Sequence, residues 1–598
     1  MTRPLLTLAV ALALAGCNRQ APADPAPTPA PDTAAPAGTH VFSDAITGED
    51  FAELVKTLAS DEFEGRAPGT PGEDKTVEYI KAQFERIGLK GGNNGDFFQT
   101  VPMQETTADE SAVMTIDVGG KAHALKFGTD MVIGTRTGQP EVKVDASDLV
   151  FVGYGVDAPE QQWNDYAGVD VKGKTVVMFV NDPGFHAKDA SLFEGDRMTY
   201  YGRWTYKFEE AARKGAAAAL IVHDTEGASY GWDVVKNSWS GAQYDLRAAD
   251  DPAPRLPVQG WITAEQAKAL FAQAGMDIDK ARADANKRGF RPVPMKATMS
   301  VDLKSTVAEK SSRNVVGLLP GTERPDEAVV YMAHWDHLGK HDGEQAPDGK
   351  ADVIYNGAVD NATGVAGIIE IAEQLAKVGK PKRSVLFLAV TLEESGLLGS
   401  KYYVAHPVVP LDRTVGVINL DAMGVSGKTR DLTIVGMGNS ELEDILKPVA
   451  QKQGRTLVAE SAPAAGYYFR SDHFNFAKAG VPALYTDSGT DLVDGGKAAG
   501  DAASKDYNEH RYHKPGDEFD PATWKLDGVV DDLTAVYDVG LALANGGAWP
   551  NWYQGNPFRA AREKMMQANP PKAAAPAAPA APAAPTAPAA PEAPAATQ

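Results

Sequence analysis

The sequence predicts an α/β protein: a mixed, mostly parallel sheet flanked by helices, interrupted by a β-rich insert. Three observations predict it. From residue 314 to about 545, short apolar runs alternate with amphipathic stretches. That is the pattern of strands covered on both faces and joined by crossover helices. A strand–helix–strand block over 148–290 breaks this plan and reads as a separate body. Residues 18–40 and 570–598 are rich in Ala and Pro and lack the large apolar side chains of a core, so they read as extended tethers.

The chain opens with an address. Arg3 begins a short positive region, and residues 5–14 form an apolar run too short to span a bilayer. Leu14-Ala15-Gly16-Cys17 follows and resembles the lipobox of bacterial lipoproteins, which makes 1–17 a signal peptide and Cys17 the point of a lipid anchor. Asn18 in place of aspartate implies sorting to the outer membrane, so the expected location is the bacterial cell envelope, facing the periplasm or outside. Cys17 is the only cysteine, which excludes a disulfide within the chain. The net charge of −22 offers no basic surplus to neutralise phosphates, so no nucleic-acid partner is expected.

Residues 51–58 and 75–87 read as amphipathic helices, the second with Val77, Ile80, Phe84 and Ile87 on one face and Gly88 as its stop. The Gly-rich stretch 65–72 between them is a loop, because no Lys-Ser or Lys-Thr pair follows its last glycine as a phosphate cradle requires. Within the insert, 149–154, 175–180 and 216–222 read as strands and 208–214 as a helix. Further on, 329–333, 385–392, 415–420 and 482–486 are the apolar strands, with 364–378 and 440–453 as crossover helices.

Acids and histidines fall at the ends of these strands. His334 follows one strand directly, Glu393 and Glu394 end the next, and Asp421 ends a third. Ligands of α/β folds gather outside the carboxyl ends of strands, and Asp360-Asn361 precedes a helix near the same edge. Taken singly each is ordinary: a lone histidine is usually structural, and an Asp-Asn pair before a helix is usually a cap. Together they place uncompensated acids at one edge, where divalent cations relieve the repulsion.

Five strings carry a resemblance to the M28 family of zinc peptidases over about 314–545. They are Ala333-His334-Trp335-Asp336-His337, Gly357-Ala358-Val359-Asp360-Asn361-Ala362-Thr363-Gly364, Glu393-Glu394-Ser395-Gly396-Leu397-Leu398-Gly399, Asn419-Leu420-Asp421-Ala422-Met423-Gly424 and Tyr512-His513-Lys514-Pro515-Gly516-Asp517. The stretch 65–89 resembles the opening of the same catalytic domain. The resemblance implies the zinc exopeptidase fold, with 41–147 and 291–550 as the two parts of the catalytic body. The insert 148–290 resembles a protease-associated domain, a lid or substrate selector without catalytic residues. Two Zn2+ ions are implied, with Asp360 bridging them, Glu394 and His513 completing one site, and His334 and Asp421 the other. Glu393 would be the general base and Asp336 the partner that orients His334. Tyr468, three positions before Ser471, would stabilise the oxyanion, with Tyr467 as the alternative. The resemblance also implies a cis bond between Asp360 and Asn361.

His337 and His341 lie near the metal edge and read as structural, with contact to substrate as the alternative. His510 lies close to His513, but the surrounding string favours His513 as the ligand. Ser471-Asp472-His473 is not a catalytic triad, because adjacent residues cannot place three side chains in a nucleophile–base–orienter chain. The expected function is a two-zinc exopeptidase acting on peptide substrates, an aminopeptidase in the first instance. The alternatives are a dipeptidase or carboxypeptidase on the same site, or an inactive peptidase-like binding protein. The sequence sets no oligomeric state.

Overall fold

The computed structural model describes residues 40–345, 351–378 and 380–570. The expected signal peptide, the Cys17 anchor and nearly all of both Ala/Pro tethers lie outside them. Residues from Ser43 onward cluster as one unit, and before it only 40–42 are described.

Helix α1 (Gly48–Leu58) starts at Thr47, whose side chain accepts from the Asp50 N–H. Helix α2 (Pro71–Ile87) begins on proline and stops at Gly88, whose φ of 91° suits glycine. In chain order there follow strands β1 (Phe98–Ala108), β2 (Val113–Val118), β3 (Glu141–Phe151) and β4 (Thr175–Phe179). Next come α3 (Trp204–Arg213), β5 (Ala218–Val222), β6 (Ala242–Leu246), β7 (Val258–Ile262) and the long β8 (Val293–Leu319). The remainder comprises β9 (Arg324–His334), α4 (Thr363–Val378), β10 (Arg383–Val390), β11 (Thr414–Asn419), α5 (Leu442–Lys452), β12 (Ala483–Ser488) and α6 (Asp527–Asn545).

Two sheets share β8. The first runs β6-β1-β8-β10-β9-β11-β12, antiparallel up to β10 and parallel through β10, β9, β11 and β12. Every residue of β10 and β11 is buried, which explains why both read as unbroken apolar runs. Helix α4 covers this sheet with Val365, Ile368, Ile369, Ile371 and Leu375, all buried. Each such side chain contributes about 1.5–3 kcal/mol on burial.

The second sheet runs β2-β8-β3-β4-β5-β7. It uses the first half of β8, whereas the second half pairs with β1 and β10. This sheet reaches outside the 148–290 window on both sides, because β2, most of β3 and the start of β8 belong to it. The aromatic core beneath it, including Phe151, Phe179 and Phe271, is separate from the core under β9 and β10.

Candidate metal centre

Three neighbouring strands of the first sheet end at one place. His334 is the last residue of β9, Asp421 follows β11, and Glu393 and Glu394 follow β10. Asp360 enters from the loop before α4, and its peptide bond to Asn361 is cis. That loop is held from three directions. The Asn361 side chain accepts from Gly364 N–H (2.9 Å), capping α4, and from Ala422 N–H (3.1 Å), while donating to the Leu420 carbonyl (3.1 Å). The Asp517 carboxylate accepts from Val359 and Asp360 N–H, each at 3.0 Å. Arg66 donates to the carbonyls of Trp335, Leu58, Asn356 and Gly357 at 2.5–2.9 Å. Gly357 has φ 54°, and a Cβ there would meet the His337 ring at 2.5 Å, so only glycine lets ring and loop close together.

Asp360 divides its carboxylate between two groups. Its Oδ1 lies 3.3 Å from Nε2 of His334, which is 3.2 Å from Asp421 Oδ1. Its Oδ2 lies 3.2 Å from Nε2 of His513, which is 3.3 Å from Glu394 Oε2. Ligand atoms about 2.0 Å from a tetrahedral ion stand about 3.3 Å apart, so these four separations suit shared zinc ions. His334, Asp360 and Asp421 form one geometric cluster able to hold a metal; His337, Asp360 and Glu394 form another. Nδ1 of His337 lies 2.7 Å from Glu394 Oε1, a hydrogen-bond distance shorter than that edge.

The charges follow from this crowding. Burial opposes protonation of His334, yet Asp421, Glu393 and Asp360 hold it well above the usual imidazole range. Burial likewise opposes protonation of His513, and Glu394 and Asp360 hold it up at about 9. Burial, then the Glu394 and Asp421 carboxylates, push Glu393 well above the usual carboxylate range, with His334 opposing. A divalent cation held here would supply the positive charge that this cluster of carboxylates calls for.

The sequence-derived residues sort as follows. His334, Asp360, Glu394, Asp421 and His513 converge, and Glu393 lies with them on the wall of one cavity of about 1840 Å³. His510 pairs with Asp506 at an exposed site (3.1 Å) and is not in the cluster. His337 is fully buried against Glu394 and Gly357, so it belongs to the centre rather than to the scaffold alone. The side chain of His341 is outside the described set. Asp336 reaches His334 chiefly through its carbonyl, 3.1 Å from Nδ1, with the carboxylate at 3.9 Å.

Tyr468 does not face the centre. It is 3 % exposed, its ring packs over Gly436 and edge-on to His473 (4.6 Å), and it is absent from the cavity wall. Tyr467 is 43 % exposed and lines the cavity, because the short 3₁₀ turn Tyr467–Phe469 sends consecutive side chains to opposite sides. Ser471, Asp472 and His473 form no triad: Ser471 donates to Asp421 Oδ2 (2.6 Å), Asp472 accepts from Ser400 (2.6 Å), and the buried His473 ring makes no hydrogen bond to described residues. Arg66, Asp517, Asn361 and Ser471 support the centre; the sequence reading placed Asn361 and Ser471 near it without these contacts and gave Arg66 and Asp517 no role. Asp517 and Asn361 stood inside the motif strings, whereas Arg66 carried no signal beyond a cation in a glycine-rich loop.

The model of peptidase family M28 matches residues 314–537. Aminopeptidase NAALADL1 of Mus musculus is 30 % identical over 150 residues, which cover 24 % of this chain and only 18 % of that protein. The probable lipoprotein aminopeptidase LpqL of Mycobacterium tuberculosis is 25 % identical over 524 residues, covering 84 % of this chain and 85 % of its own. Among solved structures, the aminopeptidase from Aneurinibacillus sp. strain AM-1 has a TM-score of 0.44 at 21 % identity, covering 84 % of this chain and 95 % of that one. Over residues 314–537 the chain is therefore similar to peptidase family M28.

Proposed function

We propose that the chain is a two-zinc aminopeptidase that removes residues from the amino end of peptides. One observation carries this reading: the two oxygens of Asp360 turn to two histidine–carboxylate groups at zinc-like separations of 3.2–3.3 Å. His334 and Asp421 would hold one ion, Glu394 and His513 the other, with Asp360 common to both. His337 would orient Glu394 by its hydrogen bond rather than bind metal. Bound zinc supplies a Lewis acid for the scissile carbonyl and lowers the pKa of water toward neutrality.

The chain's own residues would do the rest. Glu393 is poised as a base that takes the proton of the attacking water and returns it to the leaving amine. Tyr467, which lines the cavity where Tyr468 does not, would donate to the carbonyl oxygen as its charge develops. Arg203, Trp204 and Phe208 from the 148–290 segment share the cavity with the metal ligands, which supports a protease-associated, substrate-selecting role for that segment. No described helix is long and apolar enough to cross a membrane. Attachment to the cell envelope through Cys17 is supported by the Leu14-Ala15-Gly16-Cys17 string and by the name of the mycobacterial relative.

The test is metal analysis of the purified protein beside its action on one peptide with a free, amino-blocked or carboxyl-blocked end. The reading expects about two zinc ions per chain, release of the first residue, and loss of release when the amino end is acetylated. Release of the last residue from the amino-blocked peptide would overturn it.

A further inference from the structure

The arginines lining the cavity divide into two kinds. Arg136 pairs with Asp245 at 3.1 Å, Arg213 with Glu210 at 2.7 Å, Arg255 with Asp251 at 3.3 Å, and Arg511 with Asp506 at 2.9 Å. Arg203 and Arg470 also line the cavity, but pair with no carboxylate among the described residues. Nε of Arg203, and Nε and Nη2 of Arg470, are buried without a hydrogen-bond acceptor among the described residues. Arg203 is 9 % exposed as a residue. Its charge is disfavoured by burial and then by Arg470, and only the Tyr230 phenol opposes, which lowers it to about 10. The Arg203 guanidinium therefore stays cationic at neutral pH.

Two like charges on one cavity wall, with buried donors and no counter-charge among the described residues, are unfavourable unless something else satisfies them. A guanidinium fork matches a carboxylate in shape and charge. The two residues come from separate elements: Arg203 immediately precedes α3 of the insert, and Arg470 stacks over Tyr467 at 5.3 Å. Arg470 is also bonded in sequence to Ser471, which donates to the Asp421 carboxylate at 2.6 Å. An anion held there would lie a few peptide units from the metal centre, since each residue of an extended chain spans about 3.3–3.6 Å.

We propose that Arg203 and Arg470 together bind a carboxylate of the substrate, making the enzyme selective for short peptides that carry one near the scissile bond. The inference rests on the peptidase reading above and names its substrate class. The carboxylate has two possible sources, an acidic first residue or the α-carboxylate of a di- or tripeptide. Arg203 supplies this group from the insert, so the insert would select substrates by charge as well as by shape.

The experiment uses the zinc-loaded full chain and three peptides: Leu-Gly-amide, Leu-Gly with a free carboxylate, and Glu-Gly-amide. For the wild type, kcat/KM for at least one carboxylate-bearing peptide should exceed that for Leu-Gly-amide by about tenfold or more, and which one does so names the source. In Arg203→Met and Arg470→Met that ratio should fall toward one, mainly through KM, with Arg→Lys variants in between. A wild-type ratio of one or less for both acidic peptides overturns the proposal without any variant. So does an equal loss on all three peptides in folded, zinc-loaded variants. If none of the three is cleaved, the peptidase reading has failed separately. Calorimetric titration of the same peptides into Glu393→Gln protein, with and without Arg203→Met, then decides whether the pair prefers carboxylates.

Discussion

The backbone N–H of Glu393 donates to Oδ1 of Asp336 over 3.1 Å. This bond joins the loops that follow two adjacent parallel strands, β9 and β10, so the acid after His334 also fixes the start of the Glu393-Glu394 turn. Burial pushes Asp336 up to about 7, with His334 opposing and Glu394 adding to the rise. Asp336 would thus position both a proposed metal ligand and the proposed base.

Asp336→Ala removes the acceptor of that buried N–H and should lower kcat or zinc affinity by about 10–100-fold. Asp336→Asn keeps an oxygen in place and should stay within a few-fold of wild type. Rates and zinc dissociation constants of both variants check this; equal damage from the two would mean that the charge, rather than the hydrogen bond, matters.

Arg66 is 1 % exposed and donates to four carbonyls, those of Trp335, Asn356 and Gly357 lying in the two loops that carry His334 and Asp360. Arg66→Ala leaves these acceptors buried and unmet, at a cost on the order of 3 kcal/mol or more. The expected outcome is a lower melting temperature together with weaker zinc binding. Unchanged zinc affinity in a destabilised variant would confine Arg66 to the scaffold.

Legibility from sequence tracked the type of signal each residue gave. The strands β9, β10 and β11 were found because they are buried on both faces and so appear as apolar runs. Of the five proposed ligands, His334, Glu394 and Asp421 drew notice because they stand at strand ends and Asp360 because it precedes a helix, whereas His513 was proposed only through the resemblance of its string. Tyr468 was misplaced because a one-residue difference in a 3₁₀ turn decides which neighbour faces the cavity, and spacing along the chain cannot resolve that. The role of His337 was underrated because its contact with Glu394 spans 57 positions and depends on Gly357 yielding space. The extent of the second sheet was missed because β8 is a single strand of 27 residues, bulged in its first half, that serves both sheets with no turn residue where it passes from one to the other.

That strand suggests where the chain can be shortened. Ala108 and Ser305 are antiparallel partners on β1 and β8, so residues 109–304 can be replaced by an Asn-Gly turn. A cut at 148 would instead fall inside β3. All the proposed ligands lie outside 109–304, so the excised protein should keep its zinc while losing discrimination among peptides. A folded excised protein devoid of zinc would contradict this.

Glu370 on α4 is 2 % exposed and accepts from the Thr47 N–H at 3.0 Å. Burial, then Asp50 and Glu373, raise it to about 8, against a lowering by the Thr47 bond and Arg86. Its folded-state pKa exceeds the ordinary value of 4.5, so the folded protein binds the extra proton and loses stability as pH climbs between the two values. Glu370→Gln removes that loss. Its melting temperature should match wild type near pH 4.5 and exceed it increasingly up to about pH 8. Parallel melting curves at both pH values would contradict the assignment.

The central claim is that Glu393 handles the proton while Glu394 holds the metal, and one paired measurement tests it: zinc content and peptide turnover of dialysed Glu393→Gln and Glu394→Gln. The account predicts that Glu393→Gln keeps both zinc ions and loses about 10²–10⁴-fold in turnover, as expected for a missing general base. Glu394→Gln should lose zinc from one site and recover in part when zinc is added, whereas added zinc should leave Glu393→Gln unchanged. Metal loss from Glu393→Gln with full loading of Glu394→Gln would reverse the assignment.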